Sequence, residues 1–162
     1  MSMAKLIIGV MYSDENLMEE VKGKLKEKFG EVEGEIRYGF SFTRYYEEEM
    51  GKNLKKNILA FKQPIRKERL SEIKDYTDEL EDEYRIKGKR RVNIDPGYLT
   101  EEEFMLASHK KSPYKAGVGG NVYAHLTLKF ENGKYVITPR TYPDFKIKKV
   151  QEFLITQLRK LP

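Results

Sequence analysis

The stretch from Val122 to Thr138 constrains the fold more than any other part of the chain. Val122, Ala124, Leu126, Leu128 and Phe130 alternate with Tyr123, His125, Thr127 and Lys129, which is the period-two pattern of a strand with one apolar face. Asn132-Gly133 follows as a strong hairpin signal, and Tyr135 to Thr138 supplies the returning strand. Strands joined this tightly run antiparallel, so a purely parallel sheet is excluded. Near the other end, Lys5 to Tyr12 is an almost unbroken apolar run with β-branched residues, which suits a strand covered on both faces.

Helix and turn signals fill the space between. Ser13 offers an N-cap, with Asp14 and Glu15 in the first turn, and Leu17, Met18, Val21, Leu25 and Phe29 form an apolar stripe that Gly30 ends. Ile36, Tyr38, Phe40 and Phe42 alternate as a strand, and Asn57 to Lys62 is a further short strand before Pro64. Leu70, Ile73, Thr77, Leu80 and Tyr84 mark a second helix. Arg91 to Asp95 reads as a short strand stopped by the turn pair Pro96-Gly97. Thr100 followed by Glu103 reads as a capping box for a third helix carrying Phe104, Leu106 and Ala107. Pro139 and Pro143 bracket a turn, with Asp144 as an N-cap candidate for a last helix over 146–161. The predicted order is βαββαβαββα: one domain over residues 1–162, of α/β or α+β class, with a mixed sheet, a C-terminal β-hairpin and a final helix.

Composition narrows the chemistry. The chain has 162 residues, and a domain of that length buries about 70% of the surface its unfolded chain would expose. The 11 Tyr and 8 Phe supply bulky core material, which argues against wholesale disorder. With no Cys, there are no disulfides, Cys zinc sites, iron–sulfur clusters or thiol catalysis. His109 and His125 are the only imidazoles, so a metal must lean on carboxylates: Mg²⁺ fits, while zinc and haem are not expected. The apolar run Leu6 to Met11 is far too short to span a membrane, and no secretory segment follows it. A cytoplasmic protein is expected, and abundant Lys and Glu without Cys or Trp is a thermophile-like composition. Charge is uneven, with 15 Lys/Arg against 17 Asp/Glu over residues 1–81 and 16 against 9 over residues 82–162. The excess gathers at residues 85–91, at Lys110, Lys111 and Lys115, and at Lys146, Lys148 and Lys149. Such runs attract polyanions by counterion release, although a solvated surface is their plainer role.

Several short strings carry candidate chemistry, each with a plainer alternative. Asp95-Pro-Gly-Tyr98 puts a carboxylate at a strand end, where α/β sheets hold ligands, or else caps its own turn. Glu47, Glu48 and Glu49 behind Tyr45 and Tyr46 suit acid–base or Mg²⁺ work, or surface ion pairs. His125-Leu-Thr127 matches the His-x-Thr string of two-histidine phosphoesterases, but His109 is followed by Lys110-Lys111 and gives no second string. Gly117-Val-Gly-Gly-Asn121 precedes a strand instead of following one, so it reads as a loop or a bulge and not as a dinucleotide fingerprint.

Taken together, Lys5-Leu-Ile-Ile-Gly-Val-Met-Tyr-Ser13, Tyr45-Tyr-Glu-Glu-Glu-Met-Gly51, Arg91-Val-Asn-Ile-Asp-Pro-Gly-Tyr-Leu-Thr100 and Thr141-Tyr-Pro-Asp144 resemble domain-of-unknown-function family 4416, over about Lys5 to Leu158. The chain departs from the family pattern at Tyr114, where a His-Arg pair usually begins, at His125, usually acidic, and at Arg140, usually aromatic. Members are sometimes described as GTP-binding, yet no Gly-x-x-x-x-Gly-Lys-Ser/Thr string exists here to cradle phosphates. The resemblance brings no established activity. The reading that follows is a cleft for a phosphorylated or otherwise anionic small molecule, with hydrolysis as an option. Asp95 and Asp144 are its catalytic candidates; Tyr46, Glu48, Tyr98 and Tyr142 assist, and Arg91 or Lys115 holds the anion. The rival is a noncatalytic RNA-associated module that uses the basic second half, and a third reading is an interaction protein without a ligand. In the first case the strings that include Asp95, Asp144 and Tyr45 to Glu49 must border one pocket.

Overall fold

Chain order and spatial order differ. The computed structural model describes residues 3–110 and 115–162; Lys111 and Tyr114 lie outside the described residues. Its elements are β1 (Met3–Tyr12), α1 (Glu15–Phe29), β2 (Val32–Gly39), the one-turn α2 (Glu47–Met50), β3 (Lys55–Phe61) and β4 (Ile65–Arg66). Then come α3 (Leu70–Glu83), β5 (Val92–Leu99), β6 (Glu103–Ser108), β7 (Ala116–Gly119), β8 (Val122–Glu131), β9 (Lys134–Ile137) and α4 (Lys148–Leu158). The sheet runs β2-β3-β1-β5-β6-β8-β7, with β4 beside β1 and β9 beside β8. The expected mixed sheet is antiparallel in every described pair.

β1 is covered on both faces, as its apolar run requires, and only Met3 is exposed. Leu6, Ile8 and Val10 pack with Leu17, Val21 and Leu25 of α1 and Ile73 and Leu80 of α3. Ile7 packs with Ile58, Leu128 and Phe145 and with Val150 and Leu154 of α4. Two helices therefore cover one face and α4 covers part of the other. Among the described residues, no helix is long and apolar enough to cross a membrane.

The α/β class, the C-terminal hairpin and the last helix stand, and Asn132 and Gly133 take the positive φ of 51° and 79° that the turn demands. The glycine-rich stretch does form a bulge, between Gly117 and Gly119. Three local expectations are corrected. The N-cap of α1 is Asp14 and not Ser13: its Oδ1 accepts from the amides of Asn16 (2.9 Å) and Leu17 (3.3 Å). The third helix is strand β6. Thr100 does act through its hydroxyl, which accepts from the amides of Glu102 and Glu103, but these bonds close the turn between β5 and β6. Phe104 and Leu106 face one core while Met105 and Ala107 face the other, a period of two. Lastly, β5 runs straight through Pro96-Gly97, so Asp95 lies inside a strand and precedes no helix.

Proline is tolerated there because β6 pairs with β5 only from Gly97 onward. The amide of Ile94 points to the same side as the nitrogen of Pro96 and donates to Oε2 of Glu81, from α3, at 2.6 Å. Past Gly97 and Leu106 the two strands separate, and that opening creates the site.

Candidate functional site

A cleft of about 440 Å³ lies on the α4 face of the sheet, where β5 and β6 part. Its floor is Met11, Lys56, Asn93 and Asp95. One wall comes from Phe40 to Tyr46, another from Tyr142 to Phe145, and Ser108, His109 and Lys110 line one end beside Lys74.

The floor is held by buried charge. Nζ of Lys56 donates to Oδ2 of Asp144 at 2.7 Å, and the phenol of Tyr38 donates to the same oxygen at 2.5 Å. Both members of the ion pair are almost fully buried. Burial and the adjacent Asp144 charge push the Tyr38 phenol up, so it remains a donor. Lys56 reaches Asp144 because β1 carries Gly9 beneath it: a Cβ there would stand 2.9 Å from Cε of Lys56. Its ammonium also lies 4.9 Å from the Phe145 ring centroid. The pair therefore fixes the turn that carries Tyr142.

A second chain of contacts ties the opposite wall to β5. Arg90 grips Glu49 of α2 through Nε and Nη2, and its Nη1 donates to Oδ1 of Asn93 at 2.6 Å. Nδ2 of Asn93 donates to Oδ2 of Asp95 at 2.9 Å. Asp95 is thus oriented by an amide and belongs to no ion pair among the described residues. The Tyr46 phenol is pushed up to about 12, by burial first and the Asp95 charge second. Behind the strands, burial pushes the Glu81 carboxyl up to about 7, against the pull of the Ile94 amide.

At the basic end, Nδ1 of His109 is 3.1 Å from the carbonyl of Asn121, which can only accept, so that nitrogen carries a proton. Nε2 faces Oδ2 of Asp78 at 2.5 Å, and Lys74 approaches Oδ1 of Asp78 at 3.3 Å. Asp75, Asp78 and His109 bring ligand-type atoms within 4.8 Å of one another, a group where a cation has donors among the described residues. An imidazolium and the Lys74 ammonium already balance it.

The two histidines should titrate on opposite sides of the ordinary value of about 6.5. Asp78 holds the His109 proton and raises its pKa, whereas burial lowers that of His125. The His109 contribution to stability is therefore present below about 6.5 and lost as pH rises through its folded pKa. That of His125 runs the other way, since the fold resists its charging as pH falls. Ring-proton shifts followed by NMR check the order; His125 titrating above His109 would contradict this geometry.

The family model described as Domain of unknown function (DUF4416) matches residues 2–161. The chain belongs to this family. No curated protein and no solved structure matches it.

In this DUF4416 chain, the three strings that carried the resemblance beyond β1 do meet around one cleft: Tyr45 and Tyr46, Asp95, and Tyr142 with Asp144 all line it. Asp144 is not the N-cap of α4, because its carboxylate is spent on Lys56 and Tyr38. Other candidates fall outside. Tyr98 packs into the opposite core with Lys67 over its ring. Glu48 is exposed on α2, and it is Glu49 that is engaged. Arg91 pairs with Asp14 at 3.0 Å, away from the cleft. Lys115 stands just behind the basic end, where its Nζ donates to Oγ of Ser108 at 3.2 Å and to the Lys110 carbonyl at 3.1 Å. His125 and Thr127 are both buried, and the His125 ring stacks with Tyr142. Sequence reasoning missed Lys56, Tyr38, Arg90 and Asn93. A signal was available for Lys56 alone: Gly9 inside an otherwise bulky central strand, which marks a close approach.

Proposed function

We propose that the cleft binds a small phosphorylated or otherwise anionic molecule, in the cytoplasmic setting that the cysteine-free composition suggests. The observation that carries the reading is the basic end. Lys74, His109, Lys110 and Lys115 gather around Ser108, against Asp75 and Asp78, and the Lys110 ammonium has no ion-pair partner among the described residues. Asp75 and Asp78 balance Lys74 and His109, so Lys110 and Lys115 leave the end with a net positive charge, to which anions are drawn. Asp95, oriented by Asn93 and outside any ion pair among the described residues, is the group to hold a ligand donor or, in a hydrolytic version, the attacking water. Asp144 serves as a positioning residue for the Tyr142 turn.

The RNA reading has less support, because Arg85, Arg90 and Arg91 of the first basic run are committed to Asp82, Glu49 and Asp14. Calorimetry with glycerol phosphate on the intact chain tests the proposal. Lys110→Ala is expected to weaken binding about tenfold, and Asp95→Asn to abolish it while Tm stays within about 2 °C. Unchanged binding in both variants would overturn the proposal. So would RNA affinity that falls with salt at about 0.7 per phosphate in a log–log plot and follows residues 85–91 and 146–149.

A further inference from the structure

We infer that the ligand of this cleft carries a planar ring joined to its anionic group; the inference rests on the anion reading above. Six large hydrophobic side chains are exposed among the described residues, and the three aromatic ones, Phe42 (38%), Tyr45 (74%) and Tyr142 (41%), all border this one opening. Exposed apolar side chains scattered singly need no explanation, whereas three rings around one cleft form a recognition surface.

These rings are also held in place. Tyr142 lies on the His125 ring at 4.8 Å and 27°, which holds it in place at the mouth of the cleft. Across the cleft, Phe42 stands edge-on to Phe40 at 5.3 Å, Phe40 edge-on to Tyr46 at 6.0 Å, and Tyr46 edge-on to Tyr45 at 5.0 Å. The Tyr46 end of this row is anchored because Glu49, in the next turn of the chain, is gripped by Arg90. A ligand ring entering between Tyr142 and the row meets walls that are already ordered, so little side-chain freedom is lost on binding. The space, about 440 Å³, is in the usual range for a small-molecule site. A ring at the aromatic mouth with its anion at Ser108 and Lys110 uses both ends of the cleft.

A free aromatic phosphate and a base of single-stranded RNA share this chemistry, and the geometry favours the free molecule, because about 440 Å³ is the size of a small-molecule site. The test is isothermal titration of the intact protein at fixed salt with glycerol phosphate, phenyl phosphate and a short oligouridylate. Phenyl phosphate is expected to bind about tenfold more tightly than glycerol phosphate. Tyr45→Ala and Tyr142→Ala should each erase that preference, read as the ratio of the two ester affinities measured on the same variant, and Tyr142→Phe should keep it. Equal affinity for the two esters would overturn the ring inference and leave the anion reading standing. Failure of both esters to bind would overturn the anion reading itself. An oligouridylate that binds more tightly than phenyl phosphate, with a steep salt dependence, would overturn the free-molecule source.

Discussion

Asp144→Ala is expected to destabilise the protein by about 3–5 kcal/mol, because it strands the Lys56 ammonium in a buried site without its counter-charge. Lys56 and Asp144 are 7% and 3% exposed, so water cannot take over the lost partner. In a domain of this size the change corresponds to a fall in Tm of about 10 °C. Urea unfolding gives the free energy directly. Lys56→Met is expected to be similarly costly, since it leaves the carboxylate alone. The double variant Lys56→Met/Asp144→Leu should recover most of the loss, because removing both charges also removes their desolvation cost. A carboxylate present only for catalysis would behave otherwise: Asp144→Ala would cost activity and leave the unfolding midpoint in place.

Gly97→Ala comes next in size, with an expected loss of about 3 kcal/mol. A Cβ at this position would lie 2.3 Å from the carbonyl oxygen of Met105 and 2.8 Å from Cδ2 of Leu106. The nearest of these is backbone and cannot rotate away, so the β5–β6 ladder has to shift at its last rung before the cleft. Hydrogen exchange should therefore accelerate at Met105 and Leu106, and binding in the cleft should weaken with it. Gly23→Ala is the control. Gly23 sits inside α1, where an added Cβ would meet nothing within 4 Å beyond the backbone of its own helix, and the change is expected to stabilise by about 0.5–1 kcal/mol. Equal effects at the two glycines would mean that close strand approach is not what Gly97 provides.

Gly97 also marks where the sequence was hardest to read. Pro96-Gly97 has turn chemistry, and nothing local distinguishes a turn from a strand whose proline faces the end of a ladder and whose glycine makes room for a neighbour. The same holds for Thr100 and Glu103, where one hydroxyl accepting two amides serves a helix start or a strand turn equally well. The alternation of Phe104 and Leu106 against Met105 and Ala107 was present, but six residues are too few to separate a period of two from one of 3.6. Longer patterns were unambiguous. The stripe of α1, the apolar run of β1 and the hairpin of β8 and β9 each span enough residues, or hold a sufficiently restricted turn, to admit one structure.

Legibility of the site followed the same rule. Tyr46, Asp95, Tyr142 and Asp144 were visible because each sits in a string unusual in itself, and they do share one cleft. Lys56 was not, since a lysine near the start of a strand reads as a solvated edge until Gly9 beneath it and Asp144 opposite are known. Arg91 and Arg90 are adjacent, and a sequence gives no reason to prefer one. Asp14 captures the first and Glu49 the second, a choice made by tertiary pairing.

Backbone amide shifts recorded while phenyl phosphate is added test most directly whether the separated strings form one ligand site. The expected result is a saturable set of changes at Tyr45, Asp95, Ser108, Lys110 and Tyr142, all following a single binding curve, with Arg91 and Lys149 unmoved. Changes confined to the basic surfaces at 85–91 and 146–149, or shifts at the cleft residues that fit no common curve, would contradict it.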